Sequence, residues 1–424
     1  MMARKVWLWS VVLSLLLGLA CPVQADDISD LRAQMEQQYE QMRQMQNKLI
    51  ELEAAQKQQG AAVQKLEESG GFTIPETMAW VEKIQPYGDF RFRYEYRNSD
   101  WKSSSDDRFR IRARVGAKIQ INDEFMFDMR FATAEFFDDD EPGIGGDFVS
   151  GNKSIGDYWA SKNGWIDRAY LKWTPNWAEE WAFLFGKMGN PFYKVGKNQL
   201  IWDGDLNPEG VAFQYEKEAL FVNGMAGYVE ENGSSADKRM LGIQAGLTHA
   251  LNNSNTLTWG ASYYDYSNVK GEEPIVDGLF AGNTATDSGT YAYDYNLIEA
   301  FAQYDTKLGE MPWSIYGDYV INHASGVNED TGWLIGTTLN KAKDPGSWQF
   351  AYTYRDLEAD AVFGAFSDSD FGRDGGTNVR GHTFSYAYAL AKNTTIGATY
   401  FLDENLNYDK EDNQRLQIDL KVKF

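Results

Sequence analysis

The sequence predicts an all-β protein: a transmembrane antiparallel up-and-down β-barrel of about 16 strands, preceded by an N-terminal α-helical coiled coil. Three observations carry this. The stretch from Arg415 to Phe424 reads RLQIDLKVKF, with Leu416, Ile418, Leu420, Val422 and Phe424 on one face and Gln417, Asp419, Lys421 and Lys423 on the other. A strict period of two makes a strand with one apolar and one polar side. The same alternation recurs along the chain, between connections that are short and long by turns. Beyond the N-terminus no apolar run is long enough to cross a bilayer as a helix, so a membrane crossing requires a closed barrel, in which every backbone group finds a partner.

Composition agrees with strands. The 424 residues are 43% hydrophobic, yet mean hydropathy is −0.51, so apolar residues are diluted along the chain. The 24 Tyr, 24 Phe and 14 Trp suit strands, and they suit aromatic girdles at two membrane interfaces. A formal charge of −22 argues against nucleic acid as a partner.

Taken in order, Arg4 and Lys5 precede an apolar run from Val6 to Ala20 and a small-residue site, Val23-Gln24-Ala25. Residues 1–25 therefore read as a secretory signal peptide. The single cysteine, Cys21, falls inside it, leaving the mature chain without disulfide or thiol chemistry. A lipoprotein site at Leu19-Ala20-Cys21 is the rival reading, but Gly18 and Pro22 fit it poorly.

Residues 26–69 carry a heptad pattern. Ile28, Leu31, Met35, Met42, Met45, Leu49, Leu52, Val63 and Leu66 recur in steps of three and four, with Gln38, Gln56 and Gln59 at the remaining core positions. This predicts a coiled coil roughly 60 Å long, its seam weakened by the glutamines. A lone helix would leave the Met/Leu stripe wet. Ser69-Gly70-Gly71 ends it, residues 70–86 form a linker, and residues 87–424 form the barrel.

The first three strands set the pattern. Phe90, Phe92, Tyr94 and Tyr96 alternate with Arg91, Arg93 and Glu95; Phe109 through Ile121 alternate with Arg110, Arg112, Arg114 and Lys118; Phe125 through Phe131 alternate with Asp128 and Arg130. Twelve further strands are expected near 165–174, 181–187, 209–215, 220–229, 239–248, 256–266, 295–305, 313–322, 331–339, 348–355, 380–390 and 394–402, before the closing strand. A soluble sandwich would bury the apolar rows against a second sheet. A membrane barrel turns them to lipid and lines a lumen with the charges. Alternating connection lengths favour the barrel, since short turns at one end and long loops at the other are its habit. An even count returns both barrel ends to the short-turn side, and this size leaves an aqueous channel.

Several stretches match a known family. Ile166-Asp167-Arg168-Ala169-Tyr170-Leu171-Lys172-Trp173, Phe185-Gly186-Lys187-Met188-Gly189-Asn190-Pro191-Phe192 and Leu206-Asn207-Pro208-Glu209-Gly210-Val211 resemble the "putative porin" family of Gram-negative outer membranes, relatives of the phosphate-selective porins O and P. The closing strand is similar to that of outer-membrane barrels, whose assembly machinery reads a terminal aromatic, making Leu416, Ile418, Leu420, Val422 and Phe424 a candidate assembly signal. The resemblance implies a homotrimer with a periplasmic coiled coil in the cell outer membrane. It implies contact with outer-membrane lipid and lipopolysaccharide, with the barrel-assembly machinery, and with the cell wall through the coiled coil. The phosphate-selective relatives line their pores with lysine; here the ladder is mostly arginine, so phosphate selectivity does not carry over.

By the same resemblance, chemistry means passage of small hydrophilic solutes and ions through a charged constriction. The candidates are Arg91, Arg93, Arg108, Arg110, Arg112, Arg114 and Arg130, faced by Asp203, Asp205 and Glu209 from a long connection that folds inward in many porins. The arginines could instead brace the wall against lumenal carboxylates. They favour anions locally, while the acidic total favours cations at the mouth. A substrate-specific anion or small-acid channel, and a structural tether between outer membrane and cell wall, are the alternatives. Asp138-Asp139-Asp140-Glu141 lacks the spacing of a calcium loop. His249, His323 and His382 lack zinc spacing, and no nucleophile or nucleotide motif is present. Neither catalysis nor a cofactor is expected.

Overall fold

The computed structural model describes residues 81–424 apart from 101–103, 135–148, 150, 157, 234–235, 276–277, 374 and 407–409, together with Glu40, Arg43, Gln44 and Lys48. Those four have helical backbone. The expected signal peptide, most of the expected coiled coil and the run Asp138 to Glu141 lie outside the described residues. The chain divides into two compact units, Met1–Ala79 and Trp80–Phe424.

Alternation of apolar and polar residues produces one antiparallel sheet in the second unit. Its strands are β1 (Ile84–Ser99), β2 (Asp106–Gln120), β3 (Phe125–Ala134), β4 (Lys153–Ser154), β5 (Asn163–Trp173), β6 (Trp181–Lys187), β7 (Glu209–Lys217), β8 (Leu220–Glu230) and β9 (Lys238–Ala250). They continue with β10 (Thr256–Ser267), β11 (Tyr295–Leu308), β12 (Met311–Asn322), β13 (Thr331–Leu339), β14 (Trp348–Leu357), β15 (Val379–Ala391), β16 (Thr394–Asn405) and β17 (Glu411–Lys423). Sixteen long strands pair in sequence order, with β3 meeting β5 directly. The ring closes where β1 pairs β17 from Asp89↔Lys423 to Ser99↔Asn413, and the backbones of Gly88 and Phe424 exchange hydrogen bonds at 3.0 and 3.1 Å. A closed ring has no open edge. The expected count of long strands and the closing partner are therefore met. The two-residue β4 was not foreseen: it pairs with β2 at Arg110 and Ile111, above the last β3 partner of β2 at Arg114.

The outer face is apolar. Phe92, Val115, Phe131, Ile166, Leu241, Trp259, Ile298, Ile335, Tyr386 and Leu420 are all exposed there. Aromatic rings cluster beside the short turns, where Trp181 stacks on Phe183 at 6.0 Å and meets Tyr215 at 4.8 Å. The turns themselves are locally specified: Asn122 Oδ1 accepts from the Glu124 and Phe125 amides at 3.0 and 2.9 Å, and Asn252 repeats the device at Ser254 and Asn255.

The inner face is divided. One contiguous arc of the ring, β17, β1, β2, β3 and β5, presents buried charge: Asp419, Arg415, Arg91, Arg93, Glu95, Arg110, Arg112, Asp128, Arg130 and Asp167. The opposite arc presents Met225, Met240, Tyr264, Tyr266, Leu297, Phe301, Tyr316 and Leu334, packed into one apolar cluster with residues of the long loops. The core of this protein thus lies inside its ring, under loops that fold inward.

Candidate functional site

Two long loops meet in the lumen. The first, residues 188–208, buries Met188, Phe192, Val195, Leu200, Ile201 and Trp202. Phe192 meets Tyr264 edge-on at 4.9 Å, and Trp202 meets the same ring at 5.3 Å. Glycine makes the approach possible on both sides. At Gly242 of β9 a Cβ would lie 2.6 Å from the Phe192 ring; at Gly196, whose φ is 58°, it would lie 2.2 Å from the Tyr316 ring. The second loop, residues 358–378, buries Ala361, Val362, Phe363 and Phe371. It joins the first through the Asp203 amide, which donates to the Phe366 carbonyl at 2.7 Å, and through Ser367 Oγ, which donates to the Leu200 carbonyl at 3.0 Å. Asn283, from the loop between β10 and β11, clamps the second loop by donating to the Ala359 and Val362 carbonyls and accepting from the Gly364 amide.

This packing turns the acidic ends of both loops toward the arginine arc. Asp205 accepts from Arg112 at 2.6 Å and from Arg114 at 2.9 Å. Both arginines also reach Asp89, at 3.1 and 2.7 Å. Arg93 donates to Asp419 at 2.7 and 3.0 Å and to Asp370 at 3.2 Å. Arg415 donates to Asp370 at 3.1 Å, and Arg355 to Asp368 at 2.5 Å while lying over the Phe371 ring. Burial works against the charge on Asp205, but the guanidinium groups of Arg112, Arg91 and Arg114 outweigh it and hold the carboxyl below its ordinary range. For Asp370, burial is likewise outweighed, here by Arg93, Arg415 and Arg110. Asp203 pairs with no guanidinium among the described residues; Lys194 donates to its backbone carbonyl at 3.3 Å. Burial, with Asp205 and Asp368 close by, pushes the Asp203 carboxyl up to about 8, and it accepts from the Ser369 amide and hydroxyl at 3.1 and 3.0 Å.

Most of the anticipated residues come together here. Arg91, Arg93, Arg110, Arg112, Arg114 and Arg130 share the inward parity of their strands. Arg130 pairs with Asp167, which a bulge leaves without a ladder partner. Arg108 lies further along β2, bonded to Glu95 at 2.7 Å. Glu209 does not join them: it has the outward parity of the exposed Val211 and pairs with Lys187 at 2.7 Å. The reason is local, since β7 begins at Glu209 and its alternation turns that side chain out of the lumen. Asp89, Asp167, Asp368, Asp370, Asp419, Arg355 and Arg415 were not anticipated. Ala359, Ala361, Val362, Phe363 and Phe366 inside a long outer loop were the available signal, because so apolar a loop must bury itself.

A closed ring, apolar outside and ionic within, with loops tucked into its lumen, defines a porin-type transmembrane barrel. Family comparison agrees: the model described as "Putative porin" matches residues 96–295 and 289–424, and the chain belongs to that family. No curated protein sequence matches this chain. Among solved structures, OprB of Pseudomonas putida aligns over 82% of this chain and 96% of its own at 11% identity, with a TM-score of 0.55. The trimer form of OmpT of Vibrio cholerae aligns over 80% and 99% at 14% identity, with a TM-score of 0.47. A mutant of the porin of Rhodopseudomonas blastica aligns over 80% and 100% at 11% identity, with a TM-score of 0.44. Family and fold are those of a porin.

Proposed function

We propose that this chain is a passive diffusion pore for small hydrophilic solutes and ions, with its constriction where residues 188–208 face the arginine arc. The observation that carries the reading is Asp205 held between Arg112 and Arg114, opposed charges paired where a loop meets the lumenal wall of a barrel whose outer face is apolar. Such an arrangement filters traffic by charge. Both roles weighed for the arginines coexist in it: the carboxylates brace the guanidinium groups and also shape the field of the opening. The homotrimer remains the expectation of the family resemblance. The periplasmic coiled coil likewise remains an expectation of the family resemblance. Contacts with lipopolysaccharide, the assembly machinery and the cell wall belong to the same reading.

Purified protein in planar bilayers tests the proposal. Discrete conductance steps are expected, closing in threes for a trimer. Asp205→Asn removes one of the two carboxylates shared by Arg112 and Arg114, so the reversal potential in a salt gradient is expected to move toward anions, and Arg112→Ala is expected to move it toward cations. Absence of steps rejects the pore. Unmoved potentials remove these residues from the constriction.

A further inference from the structure

A cavity of about 280 Å³ lies between the two lumenal loops and the inner wall, near the lower end of the ~300–1,000 Å³ of small-molecule sites. Its border is chemically divided. On one side stands Arg91, only 7% exposed. It donates from Nη2 to Asn152 Oδ1, its Nε has no partner, and it bonds to none of the described carboxylates. Its neighbours on the border differ: Arg93 is matched by Asp419 and Asp370, and Arg355 by Asp368. Lys197, on the same border, also has no carboxylate partner among the described residues. On the other side β14, β15 and β16 offer hydroxyls beside the matched Arg355, at Thr353, Thr383, Ser385 and Thr399. Ser385 bonds to Thr399 at 3.2 Å, but Thr383 Oγ1 is buried with no partner.

A buried guanidinium that feels Asp205 and Asp419 but bonds to neither, and a buried hydroxyl without a partner, are each incompletely satisfied. A molecule with a carboxylate at one end and hydroxyls at the other satisfies both at once. We propose that the cavity is a binding subsite for a small monocarboxylate bearing hydroxyl groups, a sugar-acid type of anion. Its carboxylate docks on Arg91 with Lys197 nearby, and its hydroxyls pair with Thr383 and the adjoining hydroxyl wall. A compact dianion such as phosphate fits less well, because Asp203, Asp205, Asp368, Asp370 and Asp419 border the same space and would repel the second charge. The inference rests on the pore reading and gives it a solute class.

The test uses the full chain folded in detergent, with D-gluconate as probe and calorimetry as readout. Gluconate is expected to bind at least about tenfold more tightly than acetate, D-glucose or inorganic phosphate, since a charge-assisted bond and several neutral ones act together. Arg91→Gln is expected to weaken gluconate about tenfold. Thr383→Val, which leaves every charge in place, is expected to weaken it about threefold, and it decides the matter if the arginine variant fails to fold. Gluconate binding no tighter than acetate or glucose, phosphate binding tighter than gluconate, or affinity unmoved by both substitutions overturns the subsite. Calorimetry needs no current, so the two ideas fail separately: normal conductance without gluconate binding rejects the subsite alone, and binding without conductance rejects the pore alone.

Discussion

Arg91 stands directly opposite Arg112 across β1 and β2, as Arg93 does opposite Arg110, and Arg130 opposite Arg168 across β3 and β5. Like charges so placed are unfavourable on any sheet. The ladder persists because Asp89, Asp167, Asp205, Asp370 and Asp419 are interleaved with it. Asp203 is the acid left over, and its chemistry makes a pH prediction. Its carboxyl is pushed from an ordinary 3.8 to about 8, so the folded protein keeps a proton there that the unfolded chain has released. The contribution of that proton to stability is full at acid pH and is lost as pH rises through about 8. The seat between the two loops is therefore expected to loosen on the alkaline side, read as rising noise in single-channel records. Asp203→Asn should abolish the dependence; noise that rises equally in the variant would assign it to another group.

At the level of elements, the loop of residues 188–208 depends on a flat place to lie. Gly242→Val puts branched carbon where the Phe192 ring sits, 2.6 Å from the site of a Cβ. The ring of strands should survive, because outward residues and ladder bonds are untouched. The loop should lift, giving larger and noisier steps with unchanged heat-resistant mobility on gels; loss of that mobility would mean the substitution damaged the wall. The strands were legible in advance because period-two alternation is local: Trp181–Lys187 and Thr331–Leu339 fall where expected. The arginine ladder was legible for the same reason. What faced it was not. Asp368 and Asp370 reach Arg355 and Arg93 only through the folding of a loop across the lumen, and no periodicity encodes that path. Glu209 was misplaced by the same gap, since its position beside Asp205 in sequence does not reveal where the strand resumes its alternation.

On the scale of the whole molecule, the apolar belt predicts how the protein meets its solvent. Ile335 is 52% exposed at the middle of β13. An Ile335→Arg substitution is expected to cost about 2–4 kcal/mol of folding in vesicles, the depth-dependent penalty for arginine against hydrocarbon. Denaturant titration in lipid measures it, and a neutral result would place that face in water.

The unequal use of the interior has a further consequence. Loops and aromatic rings fill the half of the lumen opposite the strand seam, so the water path runs along the few strands on either side of the place where the chain's two barrel ends meet. Preference for one solute over another can then be rewritten by changes in that narrow sector, while the filled half keeps the wall round. A related chain could exchange its cargo through a handful of substitutions there and leave its mechanical half alone.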